Sequence, residues 1–172
     1  MNEHIDMKIS GSSSMPGGAY GRVSISGAGR VNGSLKCEEL HCSGAAKVQG
    51  GVDCAGELRS SGAVQIGGLL NAETVEISAN PAVHIHAIGG GTIRVLQKDT
   101  TTFLGIFRTS PGCARIGSIE GDNIELEYVE AEIVRGKYVR IGRGCRIGTV
   151  EYGENLEAEP GTVRQSTQTG AK

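Results

Sequence analysis

The chain has 172 residues and a formal net charge of −2, so it lacks the overall basic field of most nucleic-acid-binding proteins. With 28 Gly, four Tyr, two Phe and no Trp, its core must consist of small aliphatic side chains, unlike the core of a two-layer globular domain. It has neither the roughly 20 apolar residues of a membrane span nor a signal-peptide segment. We therefore expect a soluble, cytoplasmic protein.

Residues 1–21 have the composition of a disordered tail. They begin with a polar, acidic segment and continue into a flexible Gly- and Ser-rich run at residues 11–18. The first seven residues offer only Ile5 and two Met against Glu3 and Asp6, so this segment does not support membrane attachment.

Residues 22–96 contain a motif that returns at a nearly fixed interval. Ser-Gly-Ala recurs around Gly27, Gly44 and Gly62, and the two intervals differ by a single position. Apolar residues follow each glycine by four and by eight positions. They are Val31, Val48, Ile66, Leu35, Val52 and Leu70. Self-similarity at such a period is typical of a solenoid, in which each repeat stacks on its neighbours.

The repeat unit is predicted to consist of strands. Small or apolar residues alternate with polar ones, and Gly, Ser or Asn recurs too often for a helix of about 8–20 residues. Each repeat then comprises three short strands and three tight corners, where glycine can adopt positive φ. The sequence therefore predicts an all-β fold, a single-stranded parallel β-helix with triangular coils of about 15–18 residues.

Residues 97–112 break this pattern and form an irregular apolar loop. The loop contains both phenylalanines of the chain, next to other large apolar residues. Its apolar residues are Phe103, Leu104, Ile106 and Phe107. They either cover the body of the solenoid or contact a neighbouring molecule, because buried aromatic residues often anchor interfaces. A second candidate for self-assembly is the open first coil near Val23 and Ile25, whose unpaired edge could pair with another chain.

Residues 113–160 are predicted to form further coils with a shorter pitch. The hexapeptide at 115–120 resembles the one at 146–151, and this interval corresponds to two coils. At an offset of one such coil, acidic residues 120–132 lie beside basic residues 135–146, for example Glu125 beside Arg140. We predict cross-strand ion pairs here, with phosphate or lipid-headgroup binding as the alternative. The polar residues 161–172 are predicted to be a second disordered tail.

The sequence offers few residues for chemistry. Its five cysteines are odd in number and lack Cys-x-x-Cys spacing, so we predict buried free thiols, with redox or metal use as the alternative. Cys37 and Cys54 occupy the same position in successive coils. His84 and His86 share an outward strand face, but no third metal ligand can be named. No nucleotide-binding loop or catalytic triad is present. We therefore expect no enzymatic activity, cofactor or metal.

The stretch at residues 23–35, VSISGAGRVNGSL, followed by two further Ser-Gly-Ala coils, resembles the bactofilins. These are bacterial polymer-forming cytoskeletal proteins. The resemblance implies a right-handed solenoid between disordered tails that assembles end to end without nucleotide. It also implies a scaffolding role in cell shape, cell-wall synthesis or motility, often at the inner face of the cell membrane. The implied partners are copies of the chain itself and a paralogous bactofilin, and nucleic acid is not among them.

Two other functions are compatible with a β-helix. The pairs Ile141-Gly142 and Ile147-Gly148 follow each other at a hexapeptide interval, as in left-handed hexapeptide β-helices, many of which are acyltransferases. Such an acyltransferase is the alternative function, although it would need hexapeptide repeats over many coils. An adhesin or polysaccharide lyase is disfavoured by the missing export signal.

Overall fold

The structure, a computed structural model, describes residues 4–98 and 112–170. These residues contain no helix, and their thirteen strands join in one parallel sheet that winds into a β-solenoid of about nine turns. The predicted all-β, parallel solenoid is therefore confirmed. The strands are β1 (Met7–Ile9), β2 (Ser12–Ala19), β3 (Arg22–Ile25), β4 (Ala28–Cys37), β5 (Glu39–Cys42), β6 (Ala45–Val48), β7 (Val52–Ser60), β8 (Ala63–Ser78), β9 (His84–Leu96), β10 (Ala114–Leu126), β11 (Val129–Ile141), β12 (Arg146–Ala158) and β13 (Val163–Gln168).

Each complete coil contributes three strand segments, which stack on the same segments of the next coil. In the second coil these are residues 23–25, 28–31 and 35–37, and we call the surfaces that they begin the first, second and third faces. Later strands run through a corner, as the register shift of β8 between Ile66 and Leu69 indicates. No helix of the described residues could cross a membrane.

The core is a set of inward columns along the axis of the solenoid. On the first face, Val23 pairs in register with Leu40, Leu40 with Leu58, and Leu58 with Val75. These four side chains are at most 3% exposed. Small aliphatic residues suffice because each inward side chain packs between its counterparts in the coils above and below.

The glycines of the Ser-Gly-Ala motif allow neighbouring corners to stack closely. A Cβ added at Gly44 would collide with the carbonyl oxygen of Gly27, and one added at Gly62 with that of Gly44. The same carbonyl oxygens accept hydrogen bonds from Ala45 N (2.8 Å) and Ala63 N (2.9 Å). The expectation that corner glycines adopt positive φ holds for Gly33 (φ 117°) but not for these three glycines. Close approach of successive corners is the reason instead.

The two predicted runs of coils form one continuous stack. Strand β9 pairs directly with β10, so His84 lies beside Arg115 although the segment predicted to be irregular separates them in sequence. In sequence, the segment predicted to be irregular falls between the first-face segment of β9 and the second-face segment of β10. Residues 99–111 of it lie outside the described residues, so its irregular form stays a prediction. The shorter later pitch is confirmed, because Arg115 aligns with Glu130 and Glu130 with Arg146, in smaller steps than those of the Ser-Gly-Ala coils.

The prediction that residues 1–21 form a disordered tail is wrong for most of this segment. Strand β1 pairs with β3, and β2 pairs with β4, so residues 7–19 form the first coil. Only Ile9 and Met15 of this coil are buried, at 4% and 5% exposure. Backbone pairing with the next coil holds the Ser- and Gly-rich strand in place without an apolar sequence period.

The polar segment 161–172, also predicted to be disordered, contains the last strand. β13 pairs with β12 from Val163 to Gln168, and Thr162 N and Oγ1 donate to the carbonyl oxygen of Glu159 at 3.2 and 2.6 Å. All of its residues except Val163 are exposed. This polar strand covers the apolar core at this end on the second and third faces.

The inward columns generate a test of the fold. Val48 is 3% exposed, whereas the adjacent Lys47 points outward. Val48→Asp would bury an unpaired carboxylate, which costs several kcal/mol, so we expect loss of the β-type circular dichroism spectrum or a sharply lowered melting temperature. Lys47→Asp is the matched control and should melt within a few degrees of the wild type. Equal melting of the two variants would contradict the assigned register.

Candidate functional site

The N-terminal end of the solenoid is an unpaired backbone edge. Strands β1 and β2 each pair on one side only within the described residues. The residues before β1 are held against the second coil, because Gly21 N donates to Ile5 O (3.0 Å) and Arg22 N to Asp6 Oδ1 (2.8 Å). Met7 is half-buried at the edge, and Ile5, two residues before it in the chain, is 75% exposed.

The C-terminal end is more polar but also leaves an edge. Strand β13 covers residues 147–152 of β12, so the last first-face segment, residues 155–158, has no strand on its outer side among the described residues. Leu156 is half-buried there, and Glu157 and Ala158 are exposed. On the third face, Ser166 takes the position that Val150 occupies one coil earlier.

The predicted self-assembly residues fall into two groups. Phe103, Leu104, Ile106 and Phe107 lie outside the residues that the structure describes, so that prediction stands as it was made. Val23 and Ile25 are each 1% exposed and are covered by Met7–Ile9 in the first coil. They cannot form the open edge, because the segment taken for a tail is itself a coil. The edge belongs to Met7–Ile9 instead.

The first face carries a column of alternating charge along its outward side. Its members are Arg59, Glu76, Arg94, Glu125, Arg140 and Glu157, all in register with one another. Ion pairs with N···O distances of 3.3–3.7 Å join Arg59 to Glu76, Glu125 to both Arg94 and Arg140, and Arg140 to Glu157. We call this column the charge ladder. Its first half, Arg59, Glu76 and Arg94, was not predicted from the sequence, although the charges of these residues alternate in sign at the same intervals as the Ser-Gly-Ala motif.

Cross-strand pairs predicted for the later coils are present. Lys137 Nζ lies 2.9 Å from Asp122 Oδ1, and this hydrogen bond raises the pKa of Lys137. On the third face Arg135 is in register with Glu120 on one side and with Glu151 on the other, and its Nε donates to Glu151 at 2.7 Å. The basic stretch at residues 135–146 is thus largely neutralised by the acidic coils beside it.

The stacked cysteines are in contact, as their spacing suggested. Cys37 Sγ lies 3.1 Å from Cys54 Sγ, and both are buried free thiols. The contact with Cys54, together with burial, raises the pKa of Cys37. Neutral thiols at this position behave as small hydrophobic residues, which is the predicted role.

The histidine pair lies on the outward side of β9. His84 and His86 are exposed, and His84 Nε2 lies 3.1 Å from the Pro81 carbonyl oxygen. Within residues 4–98 and 112–170, no three His, Cys, Asp or Glu side chains are grouped so as to hold a metal ion.

Comparison with known proteins identifies relatives but no family. No protein-family model matches the chain, and no solved structure matches it. It is 39% identical over 94 residues to the uncharacterized protein YhbF of Bacillus subtilis (strain 168), an alignment covering 54% of this chain and 38% of YhbF. It is 37% identical over 108 residues to the uncharacterized protein YhbE of the same organism, covering 60% of this chain and 44% of YhbE. The chain thus spans less than half the length of these relatives.

The charge ladder leads to a second test. Glu125→Lys would place a lysine between Arg94 and Arg140, replacing two attractive pairs by two repulsive ones. We expect the melting temperature to fall by roughly 2–4 °C at low salt, and by less at 1 M salt, where exposed charges are screened. Glu73→Lys makes the same charge change at an exposed residue outside the ladder and should have a smaller effect. Equal, salt-independent effects would contradict a role of the ladder in stability.

Cys145 provides a test of pH dependence. Burial raises its pKa from 9.0 to about 11. Because the folded pKa is above the unfolded one, the stabilisation from this neutral thiol is complete below about pH 9 and is lost between about pH 9 and 11. In urea unfolding at a series of pH values, Cys145→Ala should show a shallower fall in stability over this window than the wild type. Parallel profiles for the two proteins would contradict this assignment.

Proposed function

We propose that the chain is a non-enzymatic bacterial cytoskeletal scaffold that self-assembles without nucleotide and organises cell-shape, cell-wall or motility machinery. The observation that carries this proposal is the backbone edge at each end of the described solenoid, which no other described strand covers. The resemblance of residues 23–35 and the following coils to the bactofilins supports it independently.

The ends are suited to pairing with another copy for a simple reason. An edge strand in a parallel sheet presents unpaired N–H and C=O groups, which another strand can satisfy. A natural monomer usually protects such an edge, and the polar β13 does so over part of the C-terminal end. The edge of β1 has no such cover among the described residues.

Each end also presents a half-buried apolar side chain of the first face. Met7 and Leu156 are the first and last members of the inward column that runs through Val23 and Val139. Stacking two ends would bury these side chains and extend the column into the next molecule. Burial of a large aliphatic side chain contributes about 1.5–3 kcal/mol, which adds to the new backbone hydrogen bonds.

The test combines sedimentation velocity with negative-stain electron microscopy. Met7→Lys and Leu156→Lys each place a charge at one end, and we expect each to reduce the size of the assemblies, with monomers in the double variant. Leu69→Lys is the matched control, because Leu69 is 53% exposed in the middle of the solenoid. It should leave assembly unchanged, and all variants should retain the β-type circular dichroism spectrum.

Three outcomes would redirect the proposal. Wild-type size in the double end variant, with loss of assembly in Phe107→Arg, would move the contact to the segment at 97–112. Loss of assembly only in Leu69→Lys would indicate lateral packing. Discrete trimers instead of larger assemblies would favour the hexapeptide acyltransferase and contradict the scaffold.

A further inference from the structure

The second face of the solenoid carries an outward column of a different kind from the charge ladder. In five successive coils its members are in register: Arg30, Lys47, Gln65, His84 and Arg115. All five are exposed, and no acidic residue occurs within two positions of any of them in the chain. We call this column the basic strip. It extends about 19 Å, at about 4.8 Å per coil, and ends where Arg115 meets Glu130.

The cations of the basic strip differ from those of the other faces in their partners. On the first and third faces, Arg59, Arg94, Arg135 and Arg140 each lie within 4 Å of a carboxylate oxygen. Arg30, Lys47 and Arg115 form no ion pair with any described residue. Arg30, Lys47 and Arg115 thus share one column of the second face without an ion pair, whereas the arginines in the described strands of the first and third faces are paired.

The charges of the basic strip interact unfavourably with one another, unlike the alternating charges of the charge ladder. Arg30 and Lys47 are direct register neighbours, and like charges directly opposite each other on a sheet are destabilising. No other register pair in the described strands joins two Lys or Arg residues or two carboxylates. This like-charge pair, together with Arg115 two coils beyond Gln65, gives the second face a positive column that a bound anion would neutralise.

The shape of the strip restricts what the anion can be. The charged column is a single residue wide, and its flanks are small or neutral, with Ala28, Ala45 and Ala63 on one side. Among the residues that the structure describes, the exposed large apolar side chains are Ile5, Leu69 and Tyr138, and all three lie off the strip. The described part of the strip therefore offers neither an apolar anchor for lipid nor an aromatic ring for stacking bases. A thin chain of negative groups without bases or acyl chains fits best.

We propose that the basic strip binds a linear polyphosphate chain lying along the solenoid axis. Guanidinium groups of Arg30 and Arg115 bind phosphate oxygens in bidentate fashion, and the Lys47 ammonium neutralises a phosphate between them. Gln65 and His84 complete the column as hydrogen-bonding side chains. This binding is separate from the solenoid ends and does not depend on the proposed scaffold function.

The experiment measures fluorescence anisotropy of labelled inorganic polyphosphate with the full chain at several NaCl concentrations. The double variant Arg30→Gln/Lys47→Gln removes two cations of the strip. We expect it to lose about tenfold in affinity and to lower the slope of log K against log salt by roughly one to two, as for two lost phosphate contacts. Lys36→Gln/Lys137→Gln makes the same charge change on other surfaces and should retain wild-type affinity within about twofold.

Several results would overturn the proposal. Absence of binding by the wild type would contradict the proposal directly. Equal loss of affinity in both double variants would attribute the binding to the overall charge and not to the strip. Tighter binding of single-stranded DNA or of phosphatidylglycerol vesicles, lost in the Arg30→Gln/Lys47→Gln variant, would assign the strip to nucleic acid or to membrane instead. All these substitutions are at exposed positions, and matching circular dichroism spectra would show that the fold is retained.

Discussion

Parallel, in-register stacking is the constraint on which the rest of this structure depends. Every residue of a coil lies beside the residue at the same position in the coils above and below, so side chains are selected as columns. A column can be filled by small aliphatic residues, by glycine where corners touch, or by charges of alternating sign. In each case the same kind of residue recurs at one position in coil after coil. Stacked small side chains can therefore fill a long core and exclude water from it, even though the chain has few aromatic residues.

The same in-register stacking gives each face of the solenoid its own pattern of charge. The charge ladder on the first face favours the native register, since a slip by one coil would place Arg94 opposite Arg140 or Glu76 opposite Glu125. The basic strip on the second face lacks this self-complementarity and is free to satisfy an external anion. The same stacking produces the backbone edges at the two ends. A parallel stack of coils can add further coils at either end unless a capping segment pairs with its last strand.

Self-similarity made the coils predictable, because residues that stack on one another resemble one another in sequence. Val31, Val48 and Ile66 could be aligned without knowing the structure. The end coils were not predictable in this way. Residues 12–19 resemble a linker in composition, yet backbone pairing with β4 and one buried side chain, Met15, hold them in the sheet. This error in turn misplaced the candidate edge, from Met7–Ile9 to Val23 and Ile25. The basic strip was not predicted, although Arg30, Lys47 and Gln65 follow the motif glycines at the same offset, because Gln65 is neutral and Arg115 lies beyond the Ser-Gly-Ala coils.

The alternation of the charge ladder has a consequence for how a gene encoding such a protein can change in length. Removing one coil, for example the one between Glu125 and Glu157, would bring two carboxylates together, whereas removing two coils would restore an arginine beside a glutamate. Duplication or deletion is therefore tolerated most readily in units of two coils. The resemblance between residues 115–120 and 146–151, two coils apart, has the form that such a paired duplication would leave.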